Sequence, residues 1–487
     1  MKNINRINLK IIIRLFGFLM LVESVFLLLS LMVTVIYQEH DFKAFVYSFL
    51  ATSILGGLAV FFYRKNNDEF GKREGYIIVS LVWVVFSLIG TLPFMWSNSI
   101  PGFTNAFFET MSGFTGTGAS ILNDIEALPH GVLFWRSLTQ WMGGMGFIVL
   151  ALAVLPFLGV GGVQLYAAET PGLTADKLQP RVKETAQRLW IIYVGLTLTE
   201  TILLWLGGMP LFDSLCHSFT SLGTGGFSTK QASIEYYTNP YIHYVIILFM
   251  FMGASNFALW YFALKFDFKR VFKNEEFRLF IAIILTFSFV IAGYLYSTGN
   301  YTPEKAFRNS LFQVVSIVST TGFVLADYMI WPPVAVALIF TLMFIGGSTG
   351  STGGGVKVLR ILFIFKNIYF EFKRLVHPKA IIPVRLEGKS IPQSMVNSIF
   401  AFFVLYLFIF ALGSIILIAT GLDMDSAMGA VATSLAGIGP GLGSTGPVEN
   451  FFHVAPLGKW VLSLLMLLGR LELFTFLIIF TPVYWKK

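Results

Sequence analysis

The chain reads as long apolar stretches separated by short polar or basic ones. Ten of them, at about 10–36, 43–63, 74–97, 131–158, 185–208, 240–265, 277–297, 330–355, 393–421 and 457–483, reach or exceed the ~20 residues a helix needs to cross a bilayer. Four shorter stretches fall between the third and fourth, fifth and sixth, seventh and eighth, and ninth and tenth of these. Each is too short, and too polar at its end, to cross. The first, FFETMSGFTGTGAS at 107–120, reads as a short helix from about Ala106 to Phe114 that runs into a Gly/Thr-rich strip. The pattern predicts an all-α polytopic membrane protein. Two leading helices occupy 1–70, and four units of helix, re-entrant loop and helix occupy 71–160, 161–270, 271–380 and 381–487.

The short stretch returns as FDSLCHSFTSLGTGGFS (212–228), FRNSLFQVVSIVSTTGF (307–323) and SAMGAVATSLAGIGPG (426–441). Each copy has a small polar starter, Asn105, Asp213, Asn309 or Ser426. Seven residues on stands a hydroxyl, Ser112, Thr220, Ser316 or Thr433, and thirteen on a glycine, Gly118, Gly226, Gly322 or Gly439. A fixed register in four copies marks an internal repeat. The starters are residue types that cap helix N-termini, so they are expected to begin the short helices. The strips, Thr115-Gly116-Thr117-Gly118, Gly223-Thr224-Gly225-Gly226, Ser319-Thr320-Thr321-Gly322 and Ala436-Gly437-Ile438-Gly439, hold glycines that tolerate left-handed backbone. Four such strips around an axis could turn their carbonyls inward and replace a cation's hydration shell.

Composition and charge sharpen this. The 487 residues are 56% hydrophobic and 12% charged, with 51 Phe, and the mean hydropathy is +0.74. That profile excludes an ordinary soluble domain. The first apolar run is long enough to span and lacks a cleavage site, so it reads as a retained helix. Of 34 Lys and Arg, 27 fall in segments that the ten spans put on one side. The positive-inside rule makes that side cytoplasmic, with both termini there and all four strips opening outward. The net charge of +8 is thus a topology signal and not a nucleic-acid surface. Every unit has one orientation, unlike inverted-repeat transporters. The single cysteine, Cys216, excludes an intramolecular disulfide and a Cys-based metal site. No HExxH occurs and the six histidines are scattered, so the reading is not an enzyme. A membrane scaffold would leave the fourfold repeat unexplained.

The helices after the strips carry a second repeat: WMGGMGF at 141–147, FMGASNF at 251–257, FIGGSTGS at 344–351 and LLGRLELF at 467–474, aligning Gly143, Gly253, Gly346 and Gly469. Close helix packing accounts for a single such glycine. Residues 346–355 go further, with Gly346, Gly347, Gly350, Gly353, Gly354 and Gly355 among Ser348, Thr349, Ser351 and Thr352. Such a run cannot face lipid as a helix; it must be buried in protein or line a wet cavity, and we expect a gate. Arg470 is a costly cation within a span. It either pairs with Glu472 or backbone carbonyls, or sits below the strips and raises the barrier to cations. Glu109 and Glu200 read as structural.

The motifs SGFTGTGA, GTGGFST, STTGF and GPGLG together resemble the TrkH/TrkG branch of the superfamily of potassium transporters, which includes the KtrB and fungal Trk proteins. The resemblance spans essentially the whole chain. It implies a pseudo-fourfold pore in one polypeptide of a bacterial inner membrane, with potassium as the transported ion and no organic cofactor in this chain. It places filter glycines at Gly118, Gly226, Gly322 and Gly439, a gating loop at 346–355 and a pore arginine at Arg470. It further implies a homodimer with a cytoplasmic, nucleotide-binding regulatory subunit of the TrkA type. The basic segment 356–393 offers a docking surface for that subunit, or is simply positive-inside charge. Coupling to sodium or protons, as in KtrB-like relatives, is the alternative to downhill flux. The first strip has Gly116 where related members often carry a hydroxyl; because carbonyls form the inner sites, potassium preference is expected to survive.

Overall fold

Prolines and Asx caps set where many of the helices begin. In the computed structural model, which describes residues 7–64, 72–146, 182–380 and 382–485, the leading helices are α1 (Leu9–Tyr37) and α2 (Phe42–Phe62). There follow α3 (Lys72–Trp96), α4 (Phe103–Thr115), α5 (His130–Trp141), α6 (Val182–Leu206), α7 (Leu211–Leu222), α8 (Pro240–Ala254) and α9 (Phe257–Leu264). The second half holds α10 (Glu275–Ser297), α11 (Pro303–Val318), α12 (Pro333–Leu342), α13 (Val358–Val376), α14 (Gln393–Ala419), α15 (Met424–Ala436) and α16 (Pro456–Arg470). Pro240, Pro303, Pro333 and Pro456 stand in the first turns, where a missing N–H costs nothing.

Burial is distributed as a bilayer requires. The long helices expose apolar side chains, such as Leu50, Ile54, Leu55 and Leu58 on α2. The short helices form the centre: every residue of α4 from Ala106 to Thr115 is buried. The leading pair packs through glycine, since a Cβ at Gly17 would stand 2.8 Å from Gly56 O and a Cβ at Gly56 2.8 Å from Gly17 O. Such close backbone approach is what small residues supply between membrane helices.

Among the described residues, six helices are long and apolar enough to span, and up to eight if two bent pairs each count once. The expected span 240–265 is α8 and α9, bent by 110°, and 457–483 is α16 and the following Phe474–Phe480 segment, bent by 106°. Of the expected span 131–158, residues 147–158 lie outside the described residues. The expected span 330–355 is ten residues of α12 followed by irregular chain, and the polypeptide resumes as α13. That stretch reads as a basic loop in the sequence because lysines and arginines alternate with its apolar residues and lower its hydropathy. Between α13 and α14 a two-residue antiparallel hairpin pairs Arg385 with Ser390 and Leu386 with Lys389, a small exception to the all-α expectation.

The starters do not cap their helices. The helices begin earlier, with Gly102, Pro210, Thr302 and Asp423 at the N-cap positions. Asn105 Nδ2 donates to Pro101 O, Asp213 accepts from Thr229 and Tyr237, Ser426 Oγ accepts from Ser444 N, and Asn309 lies buried in mid-helix. At Asp213 and Ser426 the side chain reaches sideways to the chain returning from its strip. The repeat is real; its first position has a different job.

Candidate functional site

Each short helix ends in one turn geometry. Thr117 N donates to Ser112 O (2.9 Å), Gly225 N to Thr220 O (2.8 Å), Thr321 N to Ser316 O (3.0 Å) and Ile438 N to Thr433 O (3.0 Å). Thus the carbonyl of the repeated hydroxyl residue accepts from the third strip position in all four copies, as in a Schellman turn. That turn needs left-handed backbone just before the donor. The second strip positions have φ of +70° at Gly116, +50° at Thr224, +59° at Thr320 and +71° at Gly437. The two threonines carry a strain of about 1 kcal/mol or more each, and Thr320 Oγ1 accepts from Gly354 N at 2.8 Å.

The fourth positions are left-handed again, with φ of +81° at Gly118, +76° at Gly226, +82° at Gly322 and +102° at Gly439. Their surroundings join the strips in cyclic order. A Cβ on Gly118 would overlap Gly225 O, one on Gly226 would overlap Thr321 O, and one on Gly322 would overlap Ile438 O. One on Gly439 would come within 2.9 Å of Thr117 O. Each fourth-position glycine therefore lies against the third-position carbonyl of the next strip, and the fourth strip closes on the first. Sterics and φ both demand glycine here. Among the described residues no group of three or more His, Cys, Asp or Glu is placed to hold a metal ion.

Side chains tie the strips from behind, and one tie is itself a repeat that sequence reading missed. Four residues after the starter, Glu109 accepts from Ser120 Oγ and Ile121 N at 2.9 Å each. His217 Nε2 lies 2.9 Å from Ser228 Oγ, and Gln313 accepts from Leu325 N at 3.2 Å. In the fourth copy the position is Ala430, and Ser426 holds Ser444 instead. The signal was present: three polar residues at one register in otherwise buried helices. Glu109 also forms a buried ion pair with Arg136 (2.7 Å). Arg136 in turn donates to Ser228 O (2.8 Å) and lies over the Phe227 ring, so one pair links the first two strips. Glu109 is structural, as expected. Glu200 is fully buried and faces Ser221 of α7.

Beneath the strips all four aligned glycines meet a close backbone neighbour. A Cβ on Gly143 would overlap Phe114 O and one on Gly469 would overlap Leu435 O, while one on Gly253 would be 3.2 Å from Leu222 O. These are the carbonyls just before three of the strips. Gly346 instead abuts Gly354 O within its own loop. Each following helix also breaks there, which the packing explanation alone does not anticipate. Gly144 has a non-helical ψ of −127°, Ser255 interrupts α8 and α9, 346–355 is irregular, and Glu472 and Leu473 have positive φ.

The irregular loop is richly bonded. Ser348 N donates to Ala254 O (2.8 Å) and Thr349 N to Glu276 Oε1 (2.7 Å). Thr352 Oγ1 lies 2.9 Å from both Leu222 O and Gly253 O, Phe257 N donates to Gly350 O, and Lys357 donates to Gly353 O. A Cβ on Gly354 would overlap Ala436 O, and one on Gly353 would stand 3.1 Å from Ser319 O and 3.2 Å from Thr320 Oγ1. Gly347 and Gly355 pack on Ala254 and Gly346. Arg470 donates to Thr352 O (2.7 Å), Gly144 O (3.0 Å) and Gly143 O. A Cβ on Gly116 would stand 4.0 Å from its Nη1. Backbone carbonyls are thus its partners, while Glu472 pairs with Arg360. The expected gate residues and the strips are brought together.

A family model described as "TrkH: Cation transport protein" matches residues 41–487. This chain belongs to the TrkH family. It is 41% identical over 485 residues to the Trk system potassium uptake protein TrkH of Salmonella typhimurium, covering 99% of this chain and 100% of that one. It is 34% identical to the Trk system potassium uptake protein TrkG of Escherichia coli, covering 99% and 100%. The crystal structure of the potassium transporter TrkH from Vibrio parahaemolyticus matches with a TM-score of 0.89 at 39% identity, covering 99% and 100% of the two chains. TrkH-family membership makes this a membrane cation transporter and not a member of an enzyme class.

Proposed function

We propose that this TrkH-family chain carries potassium into a bacterial cell across the inner membrane, through a selectivity filter made of the four strips. The observation that carries the reading is the cyclic closure, in which each fourth-position glycine lies against the next strip's third-position carbonyl. Four like strips with alternating backbone hand offer stacked rings of carbonyl oxygens to a dehydrated cation. The four units enclose the pore, with re-entrant short helices as pore helices and both termini cytoplasmic. Residues 346–355 and Arg470 form the gate. The loop, through Gly354 against Ala436 O, and the guanidinium, through Gly143 O and Gly144 O, stand against the chain at the base of the strips, where a gate would act on ions leaving them. The relatives' description as Trk system potassium uptake proteins supports potassium as the ion. The family resemblance supports a homodimer controlled by a TrkA-type nucleotide-binding subunit on the cytoplasmic side.

The test is rubidium or potassium uptake in cells without their own potassium uptake systems, comparing the native chain with Gly322→Ser. Uptake by the native chain that is lost, or becomes sodium-permeable, in the variant supports the filter. Equal behaviour at equal membrane abundance would mean that the strips do not select ions.

A further inference from the structure

The third strip position is occupied by Thr117, Gly225, Thr321 and Ile438. In the first and third strips its hydroxyl pairs with that of the first position, Thr117 with Thr115 at 2.9 Å and Thr321 with Ser319 at 2.8 Å. In the fourth strip a buried Ile438 fills the space behind the backbone. The second strip has no side chain there, and three of its four residues are glycine. It is the strip with the most conformational freedom to lose.

Gln140, from α5 of the preceding unit, occupies the vacant place. It is wholly buried, and a Cβ on Gly225 would overlap its Cδ. Its Nε2 donates to Gly225 O at 2.7 Å, and its Oε1 accepts from Phe227 N at 2.9 Å. One amide thus clamps the second strip on both sides of Gly226. Among the described residues, Gly225 O is the only third-position carbonyl that accepts a side-chain hydrogen bond.

We propose that Gln140 is a specificity-determining positioning residue, a side chain lent by the first unit to fix the Gly225 carbonyl in the ring. This rests on the reading of the strips as a filter. The hydrogen bond fixes the direction of Gly225 O and takes up part of its electron density. Both effects hold the ring open for a larger, weakly hydrated cation. Without the clamp, the glycine-rich strip can close around a smaller ion.

The experiment measures sodium competition against rubidium uptake in whole cells expressing the full chain. Gln140→Leu keeps the volume and removes both hydrogen bonds; sodium is expected to compete about tenfold more strongly, the loss that one hydrogen bond of ordinary strength predicts. Gly225→Thr alone places its side chain into Gln140 and is expected to impair uptake. Combined with Gln140→Ala it gains room, gives the second strip a threonine like those of the first and third, and is expected to recover most of the preference. Native competition in Gln140→Leu at native membrane abundance overturns the proposal. If that variant is scarce, the Gln140→Ala/Gly225→Thr pair decides: recovery supports the role, and no recovery at native abundance overturns it. Gly226→Ser separates the two levels of inference. If it leaves uptake and competition untouched, the filter reading itself has failed. If it disrupts them while Gln140→Leu does not, only the role of Gln140 has.

Discussion

The ring of strips and the layer of helix breaks directly beneath it obey different rules. In the ring, four unlike sequences share one backbone: left-handed second and fourth positions, one hydrogen bond back to the helix, and one contact to the next strip. In the layer beneath, four aligned glycines lead into four different breaks, from a single non-helical residue at Gly144 to the ten-residue run at 346–355. If the strips are the proposed filter, atoms that present equivalent ligands from four sides are constrained to be alike. A layer that has no such duty is free to diverge, and the third unit has used that freedom for a loop and the fourth for a cation.

The largest effect that would sharpen this contrast lies within the ring. Gly226→Ala adds a methyl group where Thr321 O already sits, whereas a Cβ on Gly437 has its nearest neighbour 4.0 Å away. Both glycines have positive φ, so the backbone penalty of about 1–2 kcal/mol is shared. Gly226→Ala should therefore abolish selective uptake, while Gly437→Ala should retain a measurable part of it. Equal losses would mean that the interstrip contact is not what matters.

Next comes the lower layer, where removal is expected to increase flux. Arg470→Ala should raise rubidium flux several-fold in vesicles containing folded protein, since a fixed charge with about 1–4 kcal/mol of leverage on a nearby cation is withdrawn; deletion of 346–355, which carries no charge, should raise it by removing the obstruction beneath the strips. Unchanged flux at normal stability would remove both from the gate. The smallest effect on transport is expected from Glu109→Gln, which leaves Arg136 buried without its counter-charge. Breaking such a pair costs about 3–5 kcal/mol, so the melting temperature of the purified protein should fall clearly. Rubidium preference should change less than in Gly226→Ala; a larger change would make the ion pair part of the ring and not its support.

The spacing of hydroxyls and glycines announced the ring in the sequence because it is written in backbone-demanding residues, and Gly118 or Gly322 can hardly be anything else. The supports were less legible. Asn105 and Asp213 look like caps, and only three dimensions reveal that proline and loop geometry start those helices earlier. Gln140 lies in another unit from the strip it clamps, so no local pattern links it to Gly225. The helix α13 was hidden because hydropathy averages over its basic and apolar faces. Arg470 stood out by cost alone, but its choice of carbonyls over Glu472 depends on Arg360 taking that carboxylate.

The closing of the fourth strip on the first has a consequence for the order in which the molecule is made. Lys459 reaches back 354 residues to Asn105, Phe451 N bonds Ser120 O, and Gly439 approaches Thr117 O. Until the last unit leaves the ribosome, the first strip has no neighbour on one side. Contacts between such distant parts of a chain form late and slowly. Before the fourth unit is made, the strips are therefore expected to form an open arc. A chain stalled before its fourth unit is expected to leave an unfinished circle.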